Sequence, residues 1–412
     1  MIEIYQLKNN FDKEEFEDIA EIEDYLNSAR PELEELSYKE IISVWAELGK
    51  ILIHDKKIIE EEGVIFLAKW LRDKNLENFL LDNLRISNLD DLQIELKEGG
   101  FMSPSPRGII VQWSAGNTLT MPIFSLFQTS VTKNSTVLRA SRRNLNFVLQ
   151  VLKLFKKIDV KSAEKVLKNI VITYFPHEYV TGHEIISKIA DCKIIWGDSA
   201  AINFIKSLPE KENCETIIFG PKYSIAAIED NEADFDRIAE DIVLFDQMAC
   251  SSPQMLFVEK GDLEETGKKL AESLKKACAK HPKRAIREDI AAKIINKRME
   301  YLLNPELSVF SSKENDWTIL VGGEFRMEEA VQSRTIFIKR APFLEDIRKM
   351  ISQKIQTIVL DTKDKKRREK LAKAYSSRGA ARVVKPGEAN NYMAPWDGLL
   401  VLDRITRWCF HD

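Results

Sequence analysis

The sequence predicts an α/β protein of two domains with parallel or mixed sheets. Three observations point there. Apolar runs of strand length recur from about residue 100 to the end of the chain. Helix-length stretches with apolar residues at helical spacing separate them, the alternation expected of crossover units. Polar turns close several runs, as at the carboxyl ends of parallel strands, where ligands bind. The predicted domains are residues 1–230 and 231–412, and a ligand cleft between them is expected.

A chain of 412 residues has room for two or three cores, and its apolar share of 44% is that of an ordinary globular protein. A net charge of −4 gives no reason to expect nucleic acid or an anionic membrane surface as partner. Five cysteines without a CxxC pair argue against a disulfide framework and a thiolate metal site, so no metal is expected. Met1-Ile-Glu-Ile-Tyr5 lacks the features of a secretory signal, and no apolar run reaches the length of a membrane span. The expectation is a cytoplasmic protein.

Residues 1–36 are acidic and weakly patterned. Ser37-x-x-Glu40 reads as a capping box, followed at helical spacing by Ile41, Val44, Trp45, Leu48, Ile51 and Leu52. A second helix carries Phe66, Leu67, Trp70 and Leu71 and continues past Leu80. Gly99-Gly100 and Pro104-Ser-Pro106 break the helical pattern. Strands are then predicted at Gly108–Val111, Thr136–Arg139, Asn169–Tyr174, Lys193–Trp196 and Thr216–Phe219, with helices at 121–132, 144–156 and 182–190 and one through Ile205. In the second half, helices are predicted at 234–244, from the Asp262 cap to Cys278, from Ala285 to Leu303, and at 361–375. Strands are predicted at Trp317–Val321, Thr335–Ile338, Thr357–Leu360 and Leu399–Leu402.

Four strand ends are polar and tight: Gly116-Asn117, Arg139-Ala-Ser141-Arg142-Arg143, Gly197-Asp-Ser199 and Gly220-Pro-Lys222. No G-x-G-x-x-G is present. The arginines are either a phosphate clamp or a solvated surface, and Asn117 is an oxyanion donor or a turn residue. Neither His177 nor His183 has metal-pair spacing; each is a candidate acid or base, or simply a satisfied histidine. Phe245-Asp-Gln-Met-Ala-Cys250-Ser-Ser-Pro253 places one cysteine among small residues between a helix and the apolar run Met255–Val258. Such a corner can present a thiolate nucleophile, or bury a small hydrophobe. Ile123, Phe124 and Phe127 read as helix core rather than an acyl tunnel.

The ordered segments Trp113-Ser114-Ala-Gly-Asn117, Thr136–Ser141, Gly197-Asp-Ser199, Phe219-Gly220-Pro-Lys222 and Asp246–Pro253 resemble the aldehyde dehydrogenase superfamily. More closely they resemble the LuxC-type acyl-CoA reductases, the reductase subunit of the bacterial luminescence fatty-acid reductase complex, with Trp396-Asp-Gly398 and Arg407-Trp408 matching that family's end. The resemblance implies an aldehyde-dehydrogenase-like fold, with a nucleotide-binding first domain and a catalytic second domain. It assigns Cys250 as nucleophile and Asn117 to the oxyanion hole, alongside the Cys250 backbone N–H. Trp113, Ser114, Arg139, Ser141, Arg142, Arg143, Gly197, Ser199 and Gly220 are the implied cofactor-binding residues.

Two departures from the superfamily pattern matter. Arginine at 142 stands where many members carry a ribose-binding glutamate; Arg142 or Arg143 could pair with a 2′-phosphate, which favours NADPH over NADH. Ile218 stands where aldehyde-oxidising members carry the glutamate that activates water, which leaves an acyl-enzyme poorly set for hydrolysis. The implied reaction is NADPH-dependent reduction of an acyl-CoA thioester, long-chain by resemblance, through S-acyl-Cys250 and a thiohemiacetal to the aldehyde. His177 is a guess for its proton donor. A short acyl-CoA or acyl-phosphate reductase, a non-reducing acyl carrier and an inert relic of the fold are the alternatives. An acyl-protein synthetase is a plausible partner. A homo-oligomer is expected, with Leu92–Leu96 as a possible remnant of its strand arm.

Overall fold

The computed structural model describes residues 2–16, 20–89, 92–284 and 286–412. Ala285, where one helix was expected to begin, lies outside the described residues. The chain forms two compact units. One comprises Met1–Gly220, Met393–Pro395 and Leu399–Asp412; the other comprises Pro221–Tyr392 and Trp396–Gly398.

Strands of the first unit, in chain order, are β1 (Ile2–Tyr5), β2 (Glu14–Phe16), β3 (Ile94–Glu95), β4 (Phe101–Pro106), β5 (Ile109–Trp113), β6 (Ser135–Arg139), β7 (Ile170–Tyr174), β8 (Cys192–Trp196) and β9 (Glu215–Phe219). The second unit contributes β10 (Tyr223–Ile228), β11 (Pro253–Val258), β12 (Ser308–Ser311), β13 (Thr318–Val321), β14 (Thr335–Arg340), β15 (Ile355–Asp361) and β16 (Arg382–Val384). The last strand, β17 (Thr406–His411), belongs to the first unit.

The first sheet runs β2-β1-β7-β6-β5-β8-β9. β5 to β9 pair in parallel and β1 joins β7 antiparallel. Every residue of β5 is buried, as expected of a parallel strand covered on both faces. The helix Tyr38–His54 begins at the expected capping box, with Ser37 and Glu40 bonded reciprocally. Its Trp45 meets Phe127 and Phe155 edge-on, with ring centroids 6.0 and 5.0 Å apart. Phe124 lies 4.7 Å from the Trp70 ring. Ile123, Phe124 and Phe127 are therefore core.

The second sheet runs β12-β13-β14-β11-β10-β15-β16, parallel except for the β12–β13 pair. The helices Phe235–Val243 and Leu263–Lys280 cover one face, capped at Asp234 and Asp262. The third sheet, β17-β4-β3, is antiparallel and includes the Leu92–Leu96 segment through Ile94–Glu95.

Three expectations need correction. The division falls after Gly220 rather than at residue 230, because β10 pairs with β11 and β15; the chain's end returns to the first unit. The helix expected to run from Phe66 past Leu80 is two, Val64–Trp70 and Asp73–Leu84, and the weakly patterned opening forms β1, β2 and the helix Ala20–Glu34. Leu399–Leu402 is not a strand. Val401–Arg404 is a short helix, anchored where Leu402 N donates to Asn83 Oδ1 at 3.2 Å, and β17 follows it.

Candidate active site

In the second unit, the helix Phe235–Val243 runs into a tight turn before β11, and Cys250 sits on that turn, half-buried. The turn lies at the amino ends of the central strands β10, β11 and β15. Phe245, Asp246 and Gln247 all take left-handed backbone, with φ of 57°, 50° and 60°. Such backbone is costly for residues with side chains and persists only where the surroundings fix it. The buried Gln247 does so. Its Nε2 donates to Pro253 O at 2.7 Å and Thr335 O at 3.0 Å, and its Oε1 accepts from Thr335 N at 2.7 Å. The Arg334 guanidinium meets Asp246 at 2.6 Å. Beyond the cysteine, Asn390 Oδ1 accepts from Ser251 Oγ at 2.7 Å and Ser252 Oγ at 3.2 Å.

The Cys250 carbonyl accepts from Ser224 Oγ at 2.7 Å, and that hydroxyl in turn accepts from Thr357 N at 3.0 Å. Three charged groups bear on the thiol's ionisation. Burial pushes the Cys250 thiol up to about 12; the Asp397 carboxylate adds to the rise, while Lys222 and Arg382 oppose it. Lys222 Nζ donates to Asp397 O at 3.2 Å. Arg382 donates to Thr357 Oγ1 at 3.2 Å and Ala389 O at 3.0 Å, and lies 4.9 Å from the Trp396 ring. Burial holds Asp397 above the usual carboxylate range, against Lys222, the Gln356 amide and Arg382. At neutral pH the resting thiol thus keeps its proton.

In the first unit, the other candidates gather at the carboxyl ends of β5, β6, β8 and β9. Ser114 Oγ accepts from Ser141 N at 3.1 Å, so the turns after β5 and β6 are joined. The three arginines separate in role. Arg139 donates to Phe175 O at 2.7 Å and stacks on the Phe175 ring. Arg143 donates to Gly116 O at 2.8 Å and Asn117 O at 3.0 Å, and pairs with Glu62 at 2.7 Å. It fastens the Asn117 turn. Arg142 is exposed and has no partner among the described residues.

A small cleft here is lined by Gln112, Ser114, Asn117, Ser125 and Trp196. Gln112 Nε2 is buried with no partner among the described residues, so a ligand acceptor would satisfy it. Trp113 Nε1 donates to His183 Nδ1 at 3.0 Å. Gly197 and Ser199 flank Asp198, whose carboxylate caps the helix Ser199–Lys206 through Ala201 N at 2.8 Å. Gly220 closes β9 beside Ile202.

His183 is buried and pushed down to about 4, chiefly by burial and then by Arg139, so it is a neutral acceptor for Trp113. His177 is exposed, 3.2 Å from Glu178. Sequence reasoning missed the roles of Asp397, Gln356, Arg382 and Gln247. Asp397 sits in the quoted Trp396-Asp-Gly398 segment, but nothing in that segment tells that its charge bears on Cys250.

Comparison with known proteins bears on this arrangement. The family model described as acyl-CoA reductase (LuxC) matches residues 17–408. A long-chain acyl-protein thioester reductase of Vibrio harveyi is 27% identical over 316 residues, covering 74% of this chain and 65% of that protein. The chain thus spans a little under two-thirds of that curated relative's length. Among solved structures, aldehyde dehydrogenase 21 from Physcomitrella patens, in complex with succinate, superposes with a TM-score of 0.71 at 13% identity, covering 95% of this chain and 89% of that one. Glyceraldehyde-3-phosphate dehydrogenase GapN from Methanocaldococcus jannaschii, complexed with NADP, gives 0.68 at 12% identity, over 95% and 93%. The fold is that of the aldehyde dehydrogenases.

Proposed function

The chain belongs to the LuxC family of acyl-CoA reductases, and on that footing we propose that it reduces a long-chain acyl thioester to the aldehyde through an S-acyl-Cys250 intermediate. The observation that carries this reading is Cys250 itself: one half-buried thiol on a turn fixed from both sides by Gln247 and Asn390, with Lys222 and Arg382 favouring its ionised form. The acyl donor is proposed to be acyl-CoA or a protein-bound acyl thioester, the latter because the Vibrio harveyi relative is named for that substrate. An acyl-protein synthetase would then be its partner.

Cys250 attacks the thioester carbonyl and expels the thiol. The Cys250 backbone N–H is proposed as an oxyanion donor. For Asn117 the same role rests on its motif alone, with Arg143 holding its turn. A nicotinamide cofactor fits the first unit, where the unpaired Gln112 amide and free Arg142 lie at strand ends. Ser114 and Ser141 would line that site, and Arg142 would meet a 2′-phosphate, favouring NADPH. Once bound, the reduced cofactor would supply the hydride. Ile218, in β9, offers no carboxylate to activate water, which supports reduction over hydrolysis.

The test is cofactor oxidation with tetradecanoyl-CoA and with a tetradecanoylated acyl-protein, beside acetyl-CoA. Cofactor loss with either long-chain donor supports the reading. Loss with acetyl-CoA alone would move the substrate to short acyl groups.

A further inference from the structure

The interior strand β10 is irregular where it meets the cysteine turn. Against β11 its register slips between Ser224 and Ile225, which pair with Pro253 and Met255. Against β15 it slips at the same place, since Tyr223 pairs with Ile355 and Ile225 with Ile358. Each neighbour thus carries an extra residue there, and a bulge lies on either side of one strand. A bulge takes backbone groups out of the ladder, and a buried group left without a partner costs free energy. Ser224, fully buried, fills the gap with its side chain. Its Oγ accepts from Thr357 N, on β15, at 3.0 Å and donates to Cys250 O at 2.7 Å. A serine hydroxyl has a single proton to donate, and the Cys250 carbonyl takes it.

Two hydrogen bonds therefore hold the peptides on either side of Cys250. Ala249 O accepts from Ser252 N at 3.1 Å, which orients the 249–250 peptide. Cys250 O accepts from Ser224 Oγ, which orients the 250–251 peptide. Both peptides are trans, so each N–H points opposite to its held carbonyl. The φ and ψ angles of a residue are the rotations of its two flanking peptides. With both held, the Cys250 N–H keeps one direction relative to the Cα from which the thiol hangs. The first bond lies within the turn. The second ties the cysteine residue itself to the sheet, through β10 to β15.

We propose that Ser224 is a positioning residue for Cys250. Its hydroxyl holds the cysteine's carbonyl so that the thiol and the Cys250 N–H meet one acyl carbonyl together. The inference rests on the reading of Cys250 as the acylated thiol. A thiolate must reach the carbonyl carbon while a donor meets the carbonyl oxygen, and an error of about 1 Å in such an arrangement costs roughly 100-fold in rate. Ser224 acts through the Cys250 backbone rather than on the sulfur. A hydroxyl that merely patched the bulges would matter for stability and would leave the chemistry of the folded thiol alone.

The test compares two reactions of the Cys250 thiolate at one pH in the intact protein, with Cys250→Ala as the blank. Iodoacetamide alkylates the sulfur by displacing iodide and needs no oxyanion donor. With 4-nitrophenyl acetate the S–C bond forms, a tetrahedral oxyanion intervenes and nitrophenolate leaves. Both reagents use the same thiolate, so the ratio of acylation to alkylation cancels the thiol's ionisation. Ser224→Ala is expected to lower that ratio about 10- to 100-fold, and Ser224→Thr, which keeps the hydroxyl, to restore most of it. An unchanged ratio in Ser224→Ala, or one that Ser224→Thr leaves equally low, overturns the proposal. If Ser224→Ala does not fold, amide exchange at Thr357 in wild type decides. Its N–H, bonded to a hydroxyl that holds through acylation, is expected to exchange equally slowly before and after acetylation of Cys250; faster exchange in the acetyl-enzyme overturns the proposal. Acylation that survives Cys250→Ala overturns the Cys250 reading and this inference with it. A ratio that depends on Ser224, without acylation by tetradecanoyl-CoA or acyl-protein, would overturn the substrate reading and leave the positioning residue standing.

Discussion

Lys222 and Arg382 pull the Cys250 thiol toward ionisation, while burial and Asp397 pull it back. Lys222→Met should therefore raise the thiol's apparent pKa and slow its alkylation by iodoacetamide at pH 8. Faster alkylation would mean that Lys222 does not act on the sulfur. The arginines separate just as cleanly. Arg142→Glu should shift the kcat/KM ratio from NADPH toward NADH by roughly tenfold or more, the loss of one charge-assisted contact. Arg143→Ala should leave that ratio unchanged, because its guanidinium is spent on Glu62 and the Asn117 turn. The cysteine was legible in the sequence, as a lone thiol among small residues between a helix and an apolar run. The groups that bear on Asp397 were not, since Lys222 just before β10, Gln356 on β15 and Arg382 on β16 are brought together only when those strands pair.

At the scale of elements, the cysteine turn is held by one side chain that imitates a strand. Gln247 fills both backbone valences of Thr335 and one of Pro253. Gln247→Leu should cost about 1–3 kcal/mol for each buried group it orphans, measured by urea unfolding. A loss under about 0.5 kcal/mol would mean that the turn is held by other contacts. Periodicity located most of the long helices and most of the parallel strands, down to the caps at Ser37 and Asp262, but missed the central strand β10. It misread Leu399–Leu402, where four apolar residues fit a strand but the Asn83 side chain and the Thr406 hydroxyl, which donates to Leu402 O at 3.1 Å, hold a helical turn. Tertiary contacts override so short a pattern.

At the scale of the whole molecule, the alternation of strands and helices sufficed for two α/β units. Their border was misplaced because Tyr223–Ile228 follows β9 closely yet pairs into the second sheet. Among the described residues no helix is long and apolar enough to cross a membrane. Acid should weaken the first unit through His183. Its folded pKa, about 4, lies below the ordinary value of 6.5, so the unfolded chain binds the proton first. Stability is full above about pH 6.5 and falls as pH drops toward 4, by up to roughly 3 kcal/mol at about 1.4 kcal/mol per unit. His183→Gln should flatten that slope in thermal unfolding; an unchanged slope would place the acid sensitivity elsewhere.

The most direct measurement follows NADPH absorbance with tetradecanoyl-CoA or tetradecanoyl-protein, in wild type and Cys250→Ala, with the intact protein weighed in parallel. The expected result is cofactor oxidation and a single acyl adduct in wild type, both lost in the variant. An adduct without cofactor oxidation would make the protein an acyl carrier. Oxidation that survives Cys250→Ala would contradict the covalent route altogether.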